Sequence, residues 1–222
     1  MNAPVVTIDG PVGSGKGTVS TRLAGRLGWH FLDSGVLYRL TALKALADGV
    51  APEEAATVAA GLDFDFHFDG EQARVLLEGQ DVTAQLRREA VGDMASKVAA
   101  VVPVREALVA RQRAFARSPG LVADGRDMGT VIFPDAVLKF FLTASVEERA
   151  QRRYKQLKDK GESVKLSRLF RDLEARDLRD STREIAPLRP AEDAIVIDST
   201  ELNINEVVQK LYELVEDKVL EN

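Results

Sequence analysis

The chain contains no cysteine, so disulfides and thiolate metal sites are excluded from the start. Its only histidines are His30 and His67, too few for a histidine metal cluster, and both are expected to be structural. No apolar run approaches the roughly eighteen residues needed to span a bilayer. Nor does the sequence open on a basic stretch followed by an apolar one, so a cytoplasmic protein without membrane contact is expected. Positive charge is also in short supply: a formal net charge of −5 argues against broad nucleic-acid binding, which leans on phosphate neutralisation. Arginine is nevertheless concentrated between Arg149 and Arg189, a distribution that suits one small anionic ligand better than a polyanion. The sequence shows neither a solenoid repeat nor a low-complexity tract.

What the chain does have is enough apolar content, 45% over 222 residues, to bury a sizeable core, and a single α/β domain carrying insertions is expected. The most informative stretch is residues 5–18. Val5, Val6 and Ile8 read as a buried strand, and Val19, Leu23 and Leu27, four apart, read as the apolar face of a helix that follows. Between them lie Gly10, Pro11, Val12, Gly13, Ser14, Gly15, Lys16, Gly17 and Thr18. The start of a helix leaves backbone N–H groups without partners and carries partial positive charge, which together hold an anion. The glycines let the backbone wrap closely, and Lys16 adds a full charge, so the stretch fits a P-loop. Gly17 stands where the common form has Ser or Thr, and the hydroxyl comes one residue later, at Thr18. An empty glycine turn and a dinucleotide fingerprint are the competing readings; Asp33 sits where a ribose-binding acid would, but the glycine spacing and the lysine do not fit that design.

Along the rest of the chain, residues 30–33, 121–124, 137–142 and 194–198 read as further strands, 137–142 being nearly all apolar as befits a strand covered on both faces. Helical patterns separate them, which implies a five-stranded parallel sheet with ligands gathering at the carboxyl ends of the strands. Asp9-Gly10, Asp33-Ser34, 124–127 and Asp198-Ser199 all fall there. Residues 63–82 change period: Phe64, Phe66 and Phe68, then Val75 and Leu77, separated by Asp69-Gly70 and 78–80, signal a small antiparallel sheet. A helix start is expected at Pro52, and two helices over 89–102 and 104–116, divided by Pro103. A polar helical region, 145–183, is broken at 160–163 and suits a mobile flap. Asn203 with Glu206 three residues on marks a capping box for a last amphipathic helix.

Arg176, Asp180 and Arg183 share one face of a helix by spacing alone. An internally paired, solvated helix would explain them equally well; beside a phosphate site they become candidate phosphate or sugar contacts. Four stretches together then carry a resemblance: 10–18, Asp33-Ser34-Gly35 through Arg39, 123–130 (Ala-Asp-Gly-Arg-Asp-Met-Gly-Thr), and 176–183. They are similar to the bacterial cytidylate kinases, and the likeness runs from the first strand to the last helix. It implies a P-loop kinase fold with an acceptor-binding insert over 37–103 and a short helical lid over 147–183, the core being 1–36, 104–146 and 184–222. It implies transfer of the γ-phosphoryl group of ATP to cytidine monophosphate or its deoxy form, with Mg²⁺ held mainly through the ATP phosphates; whether Thr18 contributes is left open. It implies further that Ser34, Arg39 and Arg126 face the acceptor phosphate, that Ser96, Arg105 and Asp127 read the cytosine, and that Arg176 and Asp180 hold the sugar. On the same basis Arg183, with Arg149 and Arg153 from the lid, would cover the transferring phosphate, and Lys16 would stabilise it.

Cytosine offers an amino donor that a carboxylate such as Asp127 can accept, beside acceptors that Arg105 can satisfy, and uracil reverses that pattern. A role for Asp127 as ion-pair partner of Arg126 or Arg105 is compatible with this. No catalytic histidine is needed when the acceptor phosphate is already ionised. A kinase for another nucleoside monophosphate is the nearest alternative; a nucleotide-dependent switch is the other, though the Asn-Lys-x-Asp stretch that reads guanine in such proteins is absent. A monomer is expected.

Overall fold

The computed structural model describes residues 3–69, 72–159 and 161–220. Five parallel strands form its central sheet: β1 (Val5–Asp9), β2 (His30–Asp33), β6 (Leu121–Gly125), β7 (Leu138–Thr143) and β8 (Ile195–Asp198). They lie in the order β2-β6-β1-β7-β8, with β1 central and paired to β6 and β7 on either side. β1 is buried at every position, as is β6, which is why both read as continuous apolar runs rather than alternating ones. A second sheet of three antiparallel strands, β3 (Phe64–Phe68), β4 (Ala73–Leu77) and β5 (Gln80–Asp81), shares no ladder with the first but packs Phe66 and Phe68 on Phe31 of β2. The expected turn at Asp69-Gly70 lies partly outside the described residues, as does the break that begins at Lys160.

Helices fill both faces. α1 (Lys16–Leu27) and α8 (Ile204–Val215) pack together on one side, where Val19, Leu23, Val207, Leu211 and Val215 meet Val6, Ile8, Phe140 and Ile197 of the sheet. On the other side, α2 (Ser34–Asp48), α3 (Ala56–Ala60), α4 (Glu89–Val98) and α5 (Val102–Arg113) enclose a second core. Leu40, Val98, Val104 and Leu108, all fully buried, carry it, and it extends to Val75 and Leu77 of the small sheet. α6 (Val146–Asp159) and α7 (Leu166–Thr182) are polar and pack on each other between β7 and β8. α8 begins at Asn203 with the expected capping box: the Asn203 side chain accepts from the Asn205 and Glu206 amides, and Glu206 accepts from the Asn203 amide.

Three expected elements differ in detail. α4 stops at Val98 rather than reaching 102, and Pro103 falls in the first turn of α5 instead of separating two helices, because its missing N–H costs nothing there. Pro52 opens only a single 3₁₀ turn, Pro52–Glu54, ahead of the short α3. β7 begins at Leu138; Val137, at 53% exposure, precedes it.

Candidate active site

The loop from β1 to α1 is built for close approach. At Gly10 φ is +152°, and a Cβ there would run into the Leu142 carbonyl of the neighbouring strand, so the first glycine is fixed by packing. Gly15, at φ +89°, caps α1 without any side-chain hydrogen bond, and no acidic residue occupies the first turn. The helix therefore presents unpartnered N–H groups with nothing but its own loop before them, the arrangement that attracts an anion. Lys16 is buried and its Nζ donates to the Pro11 carbonyl at 3.1 Å. Burial, reinforced by the Arg126 charge, lowers its pKa to about 8 against the pull of Asp124 and Asp33. An incoming phosphate would reverse that cost.

Other cations converge on the same place. Arg126, from the end of β6, lowers the pKa of Lys16, Arg39 and Arg176, in each case after burial itself; Arg176 is brought down to about 10. The Arg39 charge also lowers the pKa of Arg176. Arg126 is partly neutralised, its Nε donating to Asp180 at 3.0 Å. Arg39 donates to the Leu86 carbonyl at 2.6 Å and lies over Gly92, where a Cβ would sit 3.2 Å from its guanidinium. Ser34 opens α2 buried, beside Gly125.

A second group of charges surrounds Asp127. Arg105 and Asp127, both nearly fully buried, form an ion pair, and Arg183 donates to the other carboxylate oxygen at 3.3 Å. The Arg105 guanidinium stacks over the Tyr38 ring at 5.7 Å. The backbone at Asp127 leaves strand geometry and enters a turn of π-helix, Met128–Ile132, held by the Asp9 carboxylate: the Met128 and Gly129 amides donate to its two oxygens at 2.9 and 2.8 Å. Buried polar atoms here without a protein partner include Oγ of Ser96, on the Gly92 helix, Nε of Arg176, Oγ1 of Thr130 in the turn itself and Oγ of Ser14 in the glycine loop. Buried polar groups are ordinarily paired, so such atoms are candidates for contact with a ligand or with water.

The structure thus brings Lys16, Arg39, Arg126 and Arg176 together, and Arg105, Asp127 and Arg183 together. Of the two arginines of α6, Arg149 is buried and wholly engaged by the protein: it donates to Ala144, to Val12 of the P-loop and, through two nitrogens, to Asp177. Arg153 is partly exposed and reaches Glu89 of α4 at 3.5 Å. Sequence spacing did not mark Asp9, Asp124 or Asp177 for these contacts, although Asp9 and Asp124 share one signal, an acid closing a buried strand just before a glycine.

Oxygen donors suited to a hard cation lie at the loop. The Asp124 carboxylate, whose pKa burial raises against the opposing effect of Lys16, sits 3.4 Å from where a Gly17 Cβ would be; Asp33 is close enough to act on both, and Thr18 is exposed at the start of α1. Among the described residues no group of three His, Cys, Asp or Glu could hold a metal alone. That donor set fits a magnesium ion carried mainly by phosphates, with one or two carboxylates in support. A cleft of about 1480 Å³ opens beside the same helix start, between Gly17, Thr18 and Arg22 on one side and His67, Phe68 and Arg74 of the small sheet on the other. The cation cluster does not line it, so the anion site is defined by charge and unpaired donors rather than by that cleft.

A family model described as cytidylate kinase matches residues 6–217. The chain belongs to the cytidylate kinase family. Its similarity to individual members is high: 59% identity over 209 residues to the cytidylate kinase of Aeromonas salmonicida, covering 93% of this chain and 91% of that one. The cytidylate kinase of Stutzerimonas stutzeri is 58% identical over 222 residues, covering 98% and 97%. Among solved structures, an uncharacterized protein from Eubacterium ventriosum shares the fold at a TM-score of 0.50 and 14% identity, over 96% of this chain and 98% of that one. Membership accounts for the architecture: a P-loop kinase sheet, a small antiparallel sheet and polar helices set between the last two strands. The matched span, 6–217, contains the stretches 10–18 and 123–130 on which the resemblance was read.

Proposed function

We propose that this chain transfers the γ-phosphoryl group of ATP to cytidine monophosphate or deoxycytidine monophosphate, releasing ADP and the diphosphate. The observation that carries this reading is the convergence of Lys16, Arg39 and Arg176 on Arg126, whose charge, after burial, lowers the proton affinity of each of the three. Two like charges about 4 Å apart repel by roughly 4 kcal/mol at a protein-surface dielectric, so such a cluster is built for anions. Phosphoryl transfer needs two anionic ligands held together, and the protein supplies mainly position and charge.

In this reading 10–18 cradle the ATP phosphates, with Gly10, Pro11, Val12, Gly13, Ser14, Gly15 and Gly17 giving backbone and Lys16 giving charge. Thr18 and Asp124 would hold Mg²⁺, which when bound would offset phosphate charge. Ser34, Arg39 and Arg126 take the acceptor phosphate; Ser96, Arg105 and Asp127 read the base; Arg176 and Asp180 hold the sugar. The unpartnered atoms of Ser96 and Arg176 support these two assignments, since a ligand hydroxyl or carbonyl would satisfy them. Arg183, paired here with Asp127, and Arg153, paired here with Glu89, would cover the transferring phosphate. Arg149 would serve the transferring phosphate by fixing the loop at Val12. Residues 37–103 act as the acceptor-binding insert and 147–183 as the lid over one core.

Action as a monomer, without a nucleic-acid partner, is part of this proposal. No helix among the described residues is long and apolar enough to cross a membrane, in keeping with a cytoplasmic site of action. The test is a coupled assay with ATP and each ribonucleoside monophosphate, plus deoxycytidine monophosphate. A kcat/KM for the cytidine acceptors at least tenfold above uridine and adenosine monophosphate is expected; a preference for either of those would overturn the base assignment.

A further inference from the structure

We infer that Asp9 is a positioning residue for base recognition: its carboxylate holds the Met128–Ile132 turn in the place from which Asp127 meets the acceptor base. This rests on the reading of Asp127 given above. Asp9 ends β1 and is 4% exposed. Its two oxygens accept from the Met128 and Gly129 amides at 2.9 and 2.8 Å, across 119 and 120 positions of sequence. Those amides follow Asp127 directly, at the start of a π-helical turn where they have no carbonyl of their own turn to bond. The turn is then closed by Val131 and Ile132, whose amides donate to the Asp127 carbonyl.

The turn is also pressed against the strand that carries Asp9. A Cβ on Gly129 would lie 2.9 Å from Thr7 Oγ1 and 3.1 Å from Lys139 Cδ, so the chain can approach this closely only with glycine there. The carboxylate acts as one end of this contact and the missing side chain as the other. Burial raises the Asp9 pKa to about 6, with the two amide bonds pulling it down, the charge of Asp127 raising it and that of Lys16 lowering it. Because Gly10 follows at once, one residue joins the phosphate loop to the base-reading turn, and the two substrate sites share a fixed origin.

Asp9→Asn keeps the size but replaces one acceptor oxygen with a donor that faces an N–H. The expected result is a rise of tenfold or more in KM for cytidine monophosphate and a tenfold or greater fall in the cytidine-to-uridine kcat/KM ratio, with KM for ATP within threefold. Gly129→Ala, which displaces the same turn while leaving Asp9 intact, is expected to move the same ratio in the same direction. Parallel rises for both substrates, or an unchanged ratio in Asp9→Asn, would reduce Asp9 to general scaffolding and overturn the inference. A measurement on the wild-type chain guards against variants that do not fold: the Met128 and Gly129 amides should exchange with solvent as slowly as those of β1, and fast exchange at both would overturn it as well. A wild-type enzyme that fails to distinguish cytidine from uridine monophosphate would instead fault the functional reading itself.

Discussion

Arg149 donates through one guanidinium nitrogen to the carbonyl of Val12, 2.9 Å away and 137 positions earlier in the chain. The same side chain holds Ala144 at the end of β7 and Asp177 on α7, so the glycine loop, the sheet and the polar helices are tied at one buried cation. Arg149→Ala would leave Val12 and Ala144 without a donor and Asp177 without its counter-ion. Breaking a buried pair costs about 3–5 kcal/mol, and the lower end applies because Asp177 is 24% exposed. Chemical denaturation should show a loss of about 3 kcal/mol, together with a raised KM for ATP. A fall in kcat at unchanged stability would argue for direct contact with the phosphates instead.

Lys16 gives a pH dependence whose sign follows from its burial. Its pKa in the ligand-free chain lies at about 8, below the ordinary 10.5, because desolvation and the Arg126 charge disfavour the ammonium. Bound phosphates favour the ammonium, so binding draws a proton only where the free lysine has lost one. Below about pH 8 the group is already charged and ATP affinity should be flat; above it the affinity should fall by up to tenfold per pH unit. Titration calorimetry from pH 7 to 9.5 measures this directly. Lys16→Met should bind ATP weakly at every pH and lose the slope, and its kcat should fall by about 10² or more, as for removal of one preorganised charge donor.

These two residues illustrate what could be read in advance and what could not. The glycine loop and its lysine are local: strand, turn and helix follow one another within 5–27, so order and spacing alone announce them. The parallel strands were equally legible, since burial on both faces leaves an unbroken apolar run. The partners of Arg149 and Arg126 were not, because Val12, Asp177 and Asp180 come into place only through folding, and no local spacing encodes a bond across 137 or 54 positions. Pro103 misled for a related reason. A proline forbids the interior of a helix but suits its first turn, and only the packing of α5 on α3 decides which applies.

The capping box at α8 is a case where a local signal and the structure coincide, and it offers a measurement separate from catalysis. Asn203 is exposed and lies outside the cation cluster; its side chain satisfies the Asn205 and Glu206 amides at 2.9 and 3.1 Å. Asn203→Ala should cost about 1 kcal/mol. For a chain of this size that corresponds to a fall in Tm of about 2–4 °C. Steady-state kinetics at 25 °C should be unchanged within twofold. A larger loss of activity than of stability would tie the start of α8 to nucleotide binding.

Asp127 is where specificity should respond most. It is held from two sides by Arg105 and Arg183, and the family reading gives it the amino group of cytosine. Asp127→Asn keeps the shape but turns one acceptor into a donor, which faces the cytosine amino group unfavourably and suits the carbonyl that uracil has at that position. It also leaves Arg105, 5% exposed, without its counter-charge, a change costing about 3–5 kcal/mol of stability. Sites built around a ligand hydrogen bond lose about 10⁴–10⁵ in discrimination when the pairing fails completely; an amide still accepts on its other side, so a loss of about 10²–10³ in kcat/KM for cytidine monophosphate is the expectation. The uridine reaction should fall less or rise. The two acceptors competed in one tube give the ratio free of errors in active concentration, and denaturation of the same sample separates lost recognition from lost folding. Equal losses for both acceptors would mean that Asp127 orders its arginines without touching the base.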